Sequence, residues 1–281
     1  MSKHVQPLSD ESAVAKLWVD ETEVIEDFLA PVTRAIIQRS DLAPGMRVLE
    51  LACGAGGLGL AITTEVGGLR EFVMSDISPE MMEIAARRAK AQGMSHMCVR
   101  ELDLEGIAED DESFDAVVCR SGLMYVDGGR ASREMARVLV QGGRATCSVL
   151  GPEKDNPWMN LILEAAHAET GAYLTSYGVS PFSLSNPDTL GEVFATAGFS
   201  RVEIQEIPLR MPVANFESWW RLITRSNEPL AKLLSDLPAQ TVRSIRNGAW
   251  KALEEYRERS DYALPGLHLL VTGVVPSGLP R

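Results

Sequence analysis

Between residues 21 and 39, Val24, Phe28, Val32 and Ile36 recur at four-residue steps, the spacing of one helical face. Asp41–Met46 then reads as a turn, and Arg47–Leu51 as a strand ending just before Gly54, Gly56, Gly57 and Gly59. A helix is expected from that cluster to about Val66. A short strand, Phe72–Met74, runs into Asp76, after which Ser78 and Pro79 fit an N-cap and a first helical residue. That helix should reach Ala91 and stop at Gly93. Strands follow at Met97–Leu102 and Phe114–Cys119, with the acidic stretch Glu109–Glu112 between them. Arg130–Leu139 reads as helix, Gly142 and Gly143 as its exit, and Arg144–Leu150 as a fifth strand.

Strict alternation of strand and helix predicts an α/β fold. Crossover helices cover both faces of a mostly parallel sheet, and the carboxyl ends of the strands stay open for a ligand. Beyond residue 150 the pattern is less regular. It predicts a helix at Pro157–Glu169, a Pro/Ser/Tyr-rich connection at Gly171–Pro187 read as a lid, a helix at Asp188–Ala197 and a strand at Arg201–Ile207. Helical material at Phe216–Arg257 and a last strand at Leu267–Val274 complete the map, without repeats or heptads.

Composition narrows the partners. The 281 residues carry 27 Lys and Arg against 39 Asp and Glu, a formal charge of -12 that opposes phosphate backbones and anionic lipid. A small-molecule client is therefore expected, with no general nucleic-acid binding. Cys53, Cys98, Cys119 and Cys147 lack CxxC spacing and lie in or beside apolar runs, as buried thiols of a reducing compartment would. His4, His96, His167 and His268 are dispersed, so no metal is expected. The opening MSKHVQPLSDESAVAK has no apolar core, and the longest uncharged run, Tyr262–Pro280, holds three prolines and three glycines. Neither a signal peptide nor a membrane span is expected, and the location expected is cytoplasmic.

The most informative segment is Val48–Gly59, VLELACGAGGLG. A strand ends there in a turn whose missing side chains let a ligand approach backbone N–H groups, and the next helix presents its N-terminus to the same place. Gly54, Gly56 and Gly59 satisfy GxGxxG, and Asp76 lies 22 residues after Gly54, near the offset of a ribose-binding carboxylate. On these features alone NAD stays open. Asp103 adds a second acid at the same sheet edge, where it can accept from an adenine amino group, with Met81 and Leu104 as apolar walls for the base.

The strand, the glycine turn, Asp76, Asp103 and the segment FDAVVCRSGLMYV together resemble the class I S-adenosylmethionine-dependent methyltransferases. The resemblance covers Arg47–Leu150 and extends to Phe182–Ile204. It is nearest the small-molecule branch that holds the ubiquinone and menaquinone C-methyltransferases. It implies a Rossmann-like, mostly parallel seven-stranded sheet with flanking helices and a helical cap. Residues 1–40 would be an N-terminal helical cap segment, 41–150 the cofactor-binding core, and 151–281 the completion of the sheet with cap insertions. S-adenosyl-L-methionine is the implied cofactor. Glu50 and the backbone of Ala52, Cys53, Gly54 and Gly56 would surround its methionine part, Asp76 would hold its ribose, and Ile77 would be a further cofactor-binding residue. Met81, Asp103 and Leu104 would meet the adenine, and Arg120 would line the cavity. Glu50 stands where aspartate is more common, and Gln141 where proline usually precedes the paired glycines.

The activity implied is transfer of a methyl group to an oxygen, nitrogen or acidic carbon of a small acceptor. The alternatives are a noncatalytic nucleoside-cofactor-binding protein, a non-methylating enzyme using the same cofactor, and an NAD-dependent oxidoreductase. The last is disfavoured by Ala52 and Cys53 between strand and first glycine and by the lack of Tyr-x-x-x-Lys. Tyr125 and His167 are the candidate bases. Trp18, Phe28, Met124, Tyr125, Trp158, Tyr173 and Tyr177 are the candidate walls of an acceptor pocket. The adjacent Trp219 and Trp220 fit either a core or a subunit contact, and a homo-oligomer is left open.

Overall fold

A computed structural model describes residues 22–94, 97–174 and 180–278. The amphipathic segment at its start forms α1 (Thr22–Arg39), with Phe28, Val32 and Ile36 buried as the spacing predicts and Val24 turned to solvent. Alternation then proceeds through β1 (Arg47–Leu51), α2 (Gly57–Glu65), β2 (Glu71–Asp76), α3 (Pro79–Ala91), β3 (Cys98–Glu101) and β4 (Phe114–Arg120). A single 3-10 turn at Leu123–Tyr125 leads to α4 (Gly128–Val138) and β5 (Leu139–Leu150). Ser78 caps α3 through its hydroxyl, which accepts from the Met81 N–H at 3.3 Å, and Pro79 opens that helix as expected.

With β6 at Ser200–Val213 and β8 at Asp261–Val274, the strands lie in the order β3-β2-β1-β4-β5-β8-β6. Neighbours from β3 to β5 are parallel, and β8 is antiparallel to both β5 and β6. A two-residue strand, β7 (Arg257–Glu258), pairs with β8 off this path. The central strands read as continuous apolar runs because helices cover both faces: Val48, Leu49, Leu51, Val73, Met74, Val117, Val118 and Cys119 are all without solvent exposure.

Three expectations are corrected. Gly142 and Gly143 are not a helix exit. α4 passes directly into β5, and the glycines sit inside that strand where its register against β4 shifts between Phe114 and Ala116, so their small size serves a bulge. β6 and β8 each run 14 residues, longer than their apolar segments, because each pairs with the other far beyond the end of β5. Pro208 and Pro212 are tolerated because β6 is the edge strand. The helical material after residue 216 divides into α7 (Phe216–Ser226), α8 (Glu228–Asp236) and α9 (Ala239–Leu253), which follow α5 (Pro157–Thr170) and α6 (Pro187–Thr196). Asn215 and Asn227 cap α7 and α8 through their side chains and so punctuate the run. Trp219 and Trp220 both face the interior.

Candidate functional site at the carboxyl edge of the sheet

β1 and β2 deliver their last acids to one place. Asp76 ends β2, nearly buried, and its carboxylate accepts from the Gly54 N–H at 2.8 Å and the Ser78 N–H at 3.0 Å. One side chain thus ties the glycine turn to the start of α3. Burial raises its pKa, and the backbone donors pull the other way. The turn is strained: Ala52 has φ 52° beside Gly54 at 52° and Gly56 at 81°. A left-handed alanine costs roughly 1–2 kcal/mol. Ser121, just after β4, is also left-handed at φ 62°, and Gly122 approaches Ala52 too closely for any side chain between them. Strain on two adjacent strand ends is a common mark of a ligand site.

Glu50 is buried beside Gly59, and its Oε2 has no hydrogen-bond partner among the described residues. Burial pushes its pKa up to about 8, Arg120 pulls it down, and Glu26 pushes it up. The carboxyl is therefore largely neutral near pH 7. Cys53 is buried with its thiol raised far above the ordinary range, again by burial, so its side chain is inert.

Arg120, the last residue of β4, forms a two-pronged ion pair with Glu26 of α1, at 2.6 and 2.7 Å, and also donates to Thr33 Oγ1 at 2.7 Å. Register partners share a sheet face. Through them Glu50, Val118, Thr146 and Thr272 lie in one row, Arg120, Ser148 and Leu270 in the next, and Leu150 with His268 in a third. α1 crosses this face, tied at its far end by an Arg39–Glu203 ion pair. His268 is 1% exposed, and neither ring nitrogen has a hydrogen-bond partner among the described residues. Burial and the nearby Arg120 charge hold its pKa down to about 3.

On the β3 side, Ile77 stands 43% exposed directly after the nearly buried Asp76, a large apolar side chain facing solvent at the strand edge. Asp103 is exposed, and its Oδ1 accepts from the Glu105 N–H at 2.9 Å. Leu104 is buried, and Met81 packs with Ala55 and Ile84 in a small cluster under the glycine turn.

The predicted acceptor-pocket residues divide. Phe28 meets Trp158 edge-on, with ring centroids 5.1 Å apart, and Trp158 also lies against Gly266 of β8. Met124 is buried at the turn after β4, with half-buried Tyr125 beside it. Tyr173, by contrast, is 84% exposed and lies tilted against the ring of His167 near the end of α5, about 14 Å of helix rise from Trp158. Their described side-chain contacts are with each other and, for His167, with the Ala172 carbonyl. Trp18 and Tyr177 lie outside the described residues, as do most of the expected 1–40 cap and the middle of the 171–187 connection.

Sequence reasoning missed Glu26, Thr33, Ser121, Asn156 and His268. Glu26 and Thr33 read as ordinary polar positions of an amphipathic helix, and His268 sits in an apolar run. Asn156 preceded a proline, a recognisable N-cap position, but its side chain instead bonds to Leu267, 111 residues away. Among the described residues, no cluster of His, Cys, Asp and Glu could hold a metal ion, and no helix is long and apolar enough to cross a membrane.

Residues 48–143 match the family described as a methyltransferase domain. The chain is 26% identical over 180 residues to a demethylmenaquinone methyltransferase of Alkalihalophilus pseudofirmus, covering 60% of this chain and 76% of the relative. It is 34% identical over 113 residues to a ubiquinone/menaquinone biosynthesis C-methyltransferase of Idiomarina loihiensis, where the match spans 40% of this chain and less than half, 45%, of the relative. Among solved structures, the YcgJ protein of Bacillus subtilis superposes with a TM-score of 0.58 at 19% identity, over 88% of this chain and 98% of that one.

Proposed function

We propose that the chain is a class I S-adenosylmethionine-dependent methyltransferase whose acceptor is a small organic molecule methylated at oxygen, nitrogen or acidic carbon at the carboxyl edge of β1, β2 and β4. The observation that carries this reading is the Asp76 carboxylate. It is anchored to the glycine turn by one oxygen and to α3 by the other, and each oxygen keeps a lone pair for a ribose hydroxyl.

The residues present fit the cofactor. Glu50 supplies a buried acid with an unpaired oxygen at the place assigned to the methionine end, where a cationic group would favour its ionised form. Ala52, Cys53, Gly54 and Gly56 offer backbone, Ile77, Met81 and Leu104 apolar walls for the base, and Asp103 an exposed acceptor beside them. When bound, S-adenosylmethionine supplies an electrophilic methyl group on a sulfonium. The work left to the chain is to orient the partners and to exclude water, which α1 and the Phe28–Trp158 pair support by covering the sheet face.

Phe28, Met124, Tyr125 and Trp158 are the walls proposed for the acceptor. Tyr125 is the better acid–base candidate, since it follows β4, while His167 is engaged with Tyr173 and the Ala172 carbonyl. The likeness to menaquinone and ubiquinone enzymes supports an aromatic or quinol-like acceptor, and the acidic balance supports a client other than nucleic acid.

Calorimetry with S-adenosylhomocysteine and with NAD tests the cofactor, and a mass-spectrometric screen of metabolite pools for products heavier by one CH2 tests the reaction. NAD binding without S-adenosylhomocysteine binding would overturn the reading. Tight S-adenosylhomocysteine binding with no methylated product would replace it by a non-methylating one.

A further inference from the structure

We infer that Glu26 is an internal stand-in for the carboxylate of the cofactor's amino-acid end, held by Arg120 in the free protein and displaced when the cofactor binds. The inference rests on the cofactor reading above and adds a competitor built into α1.

Three observations carry it. The Arg120 guanidinium grips both Glu26 oxygens, at 2.6 and 2.7 Å, which is the fork geometry in which an arginine takes any carboxylate, including that of an amino acid. The Glu26 carboxyl lies directly on Gly57, the first residue of α2, so closely that a side chain there would overlap it. The acid therefore occupies the mouth of the glycine turn, where the methionine end is proposed to sit, and the two cannot share that volume. Finally, the Arg120 side chain is only 8% exposed, so its charge needs a carboxylate partner in each state.

Exchange of one carboxylate for another keeps that charge paired throughout. It also loosens one of the ties of α1 to the sheet at the moment the cofactor enters. Docked α1 and bound cofactor thus compete, and apparent cofactor affinity is reduced by the fraction of molecules in which Glu26 is seated.

The test compares two ligands, S-adenosylhomocysteine and 5′-methylthioadenosine, which keeps the nucleoside and lacks the amino-acid end. Calorimetry on the full chain should show that Glu26→Gln tightens S-adenosylhomocysteine about tenfold while leaving 5′-methylthioadenosine unchanged. Arg120→Met should weaken S-adenosylhomocysteine alone. Weaker S-adenosylhomocysteine binding by Glu26→Gln would make Glu26 a cofactor ligand and sink the inference. Equal shifts for both ligands, or none for either, would also overturn it by leaving Glu26 a purely structural role. Failure of the unsubstituted protein to bind either ligand would instead remove the cofactor reading itself. Should Glu26→Gln fold poorly, Thr33→Val, which removes one of the Arg120 partners that hold the pair in place, should give the same selective tightening at smaller amplitude.

Discussion

Asp76 accepts a hydrogen bond from the backbone of Gly54 at 2.8 Å, joining the end of β2 to the turn after β1 across 22 residues of sequence. The carboxylate therefore has a structural task before any ligand arrives. Asp76→Ala should weaken S-adenosylhomocysteine binding roughly 10- to 100-fold, the worth of hydrogen bonds to a charged group. It should also lower the melting temperature of the free protein, because the Gly54 and Ser78 donors lose their acceptor. Calorimetry and thermal melts on the same sample check both effects.

Glu50 makes the free protein sensitive to alkali. Its pKa in the fold is about 8 against an ordinary 4.5, so the folded state holds the proton more tightly than the unfolded chain. Its contribution to stability is complete below about pH 4.5 and is lost as pH rises through about 8. Glu50→Gln keeps the shape and removes the titration. Melts at about pH 6 and about pH 9 should converge for this variant while the unsubstituted protein loses stability at the higher value. The reading also predicts proton release when a cationic cofactor binds near Glu50, visible as binding enthalpies that change with the buffer.

His268 works in the opposite direction. Its pKa is held down to about 3 from 6.5, so the unfolded chain takes up the proton first, and stability is lost as pH falls from about 6.5 toward 3. His268→Leu should flatten this acid limb and raise the melting temperature at about pH 5, since it removes two desolvated nitrogens that have no partner among the described residues. Denaturant titrations at about pH 5 and about pH 7 would decide, and a variant that is less stable at both would show that the imidazole has a partner on binding or folding.

Asn156 joins three segments. Its Nδ2 reaches the carbonyls of Gly151, Pro152 and Leu267, each at 3.1 Å, and its Oδ1 accepts from the Leu267 N–H and from Trp158 Nε1, both at 3.0 Å. Asn156→Asp turns the donor edge into a second acceptor facing three carbonyls, buried without a cation. A loss of about 3 kcal/mol or more is expected, measured by urea unfolding, with Asn156→Ala losing somewhat less. Because Trp158 covers Phe28, disorder there should also appear as a shift in tryptophan fluorescence.

The sequence alone determined the elements whose signals are local. The β1–glycine turn–α2 unit, the Ser78–Pro79 start of α3 and the acids at the ends of β1 and β2 each depend on residues within one turn or one strand of each other. Such patterns survive translation into structure because backbone hydrogen bonding and side-chain periodicity act over a few residues. At Gly142–Gly143 two glycines mark a break in regular pairing, and whether that break ends a helix or bulges a strand depends on the neighbour, β4, not on the glycines.

Tertiary structure decided what crosses long separations. The order of the strands, the antiparallel insertion of β8 between β5 and β6, and the placement of α1 over the strand ends follow from burying many faces at once, which no short window encodes. Glu26 and Arg120 are 94 residues apart, and Asn156 and Leu267 are 111 apart. On its own, each is a polar residue on a regular element. Only packing removes water from around them, and desolvation is what turns an ordinary glutamate, asparagine or histidine into a group that must find a partner.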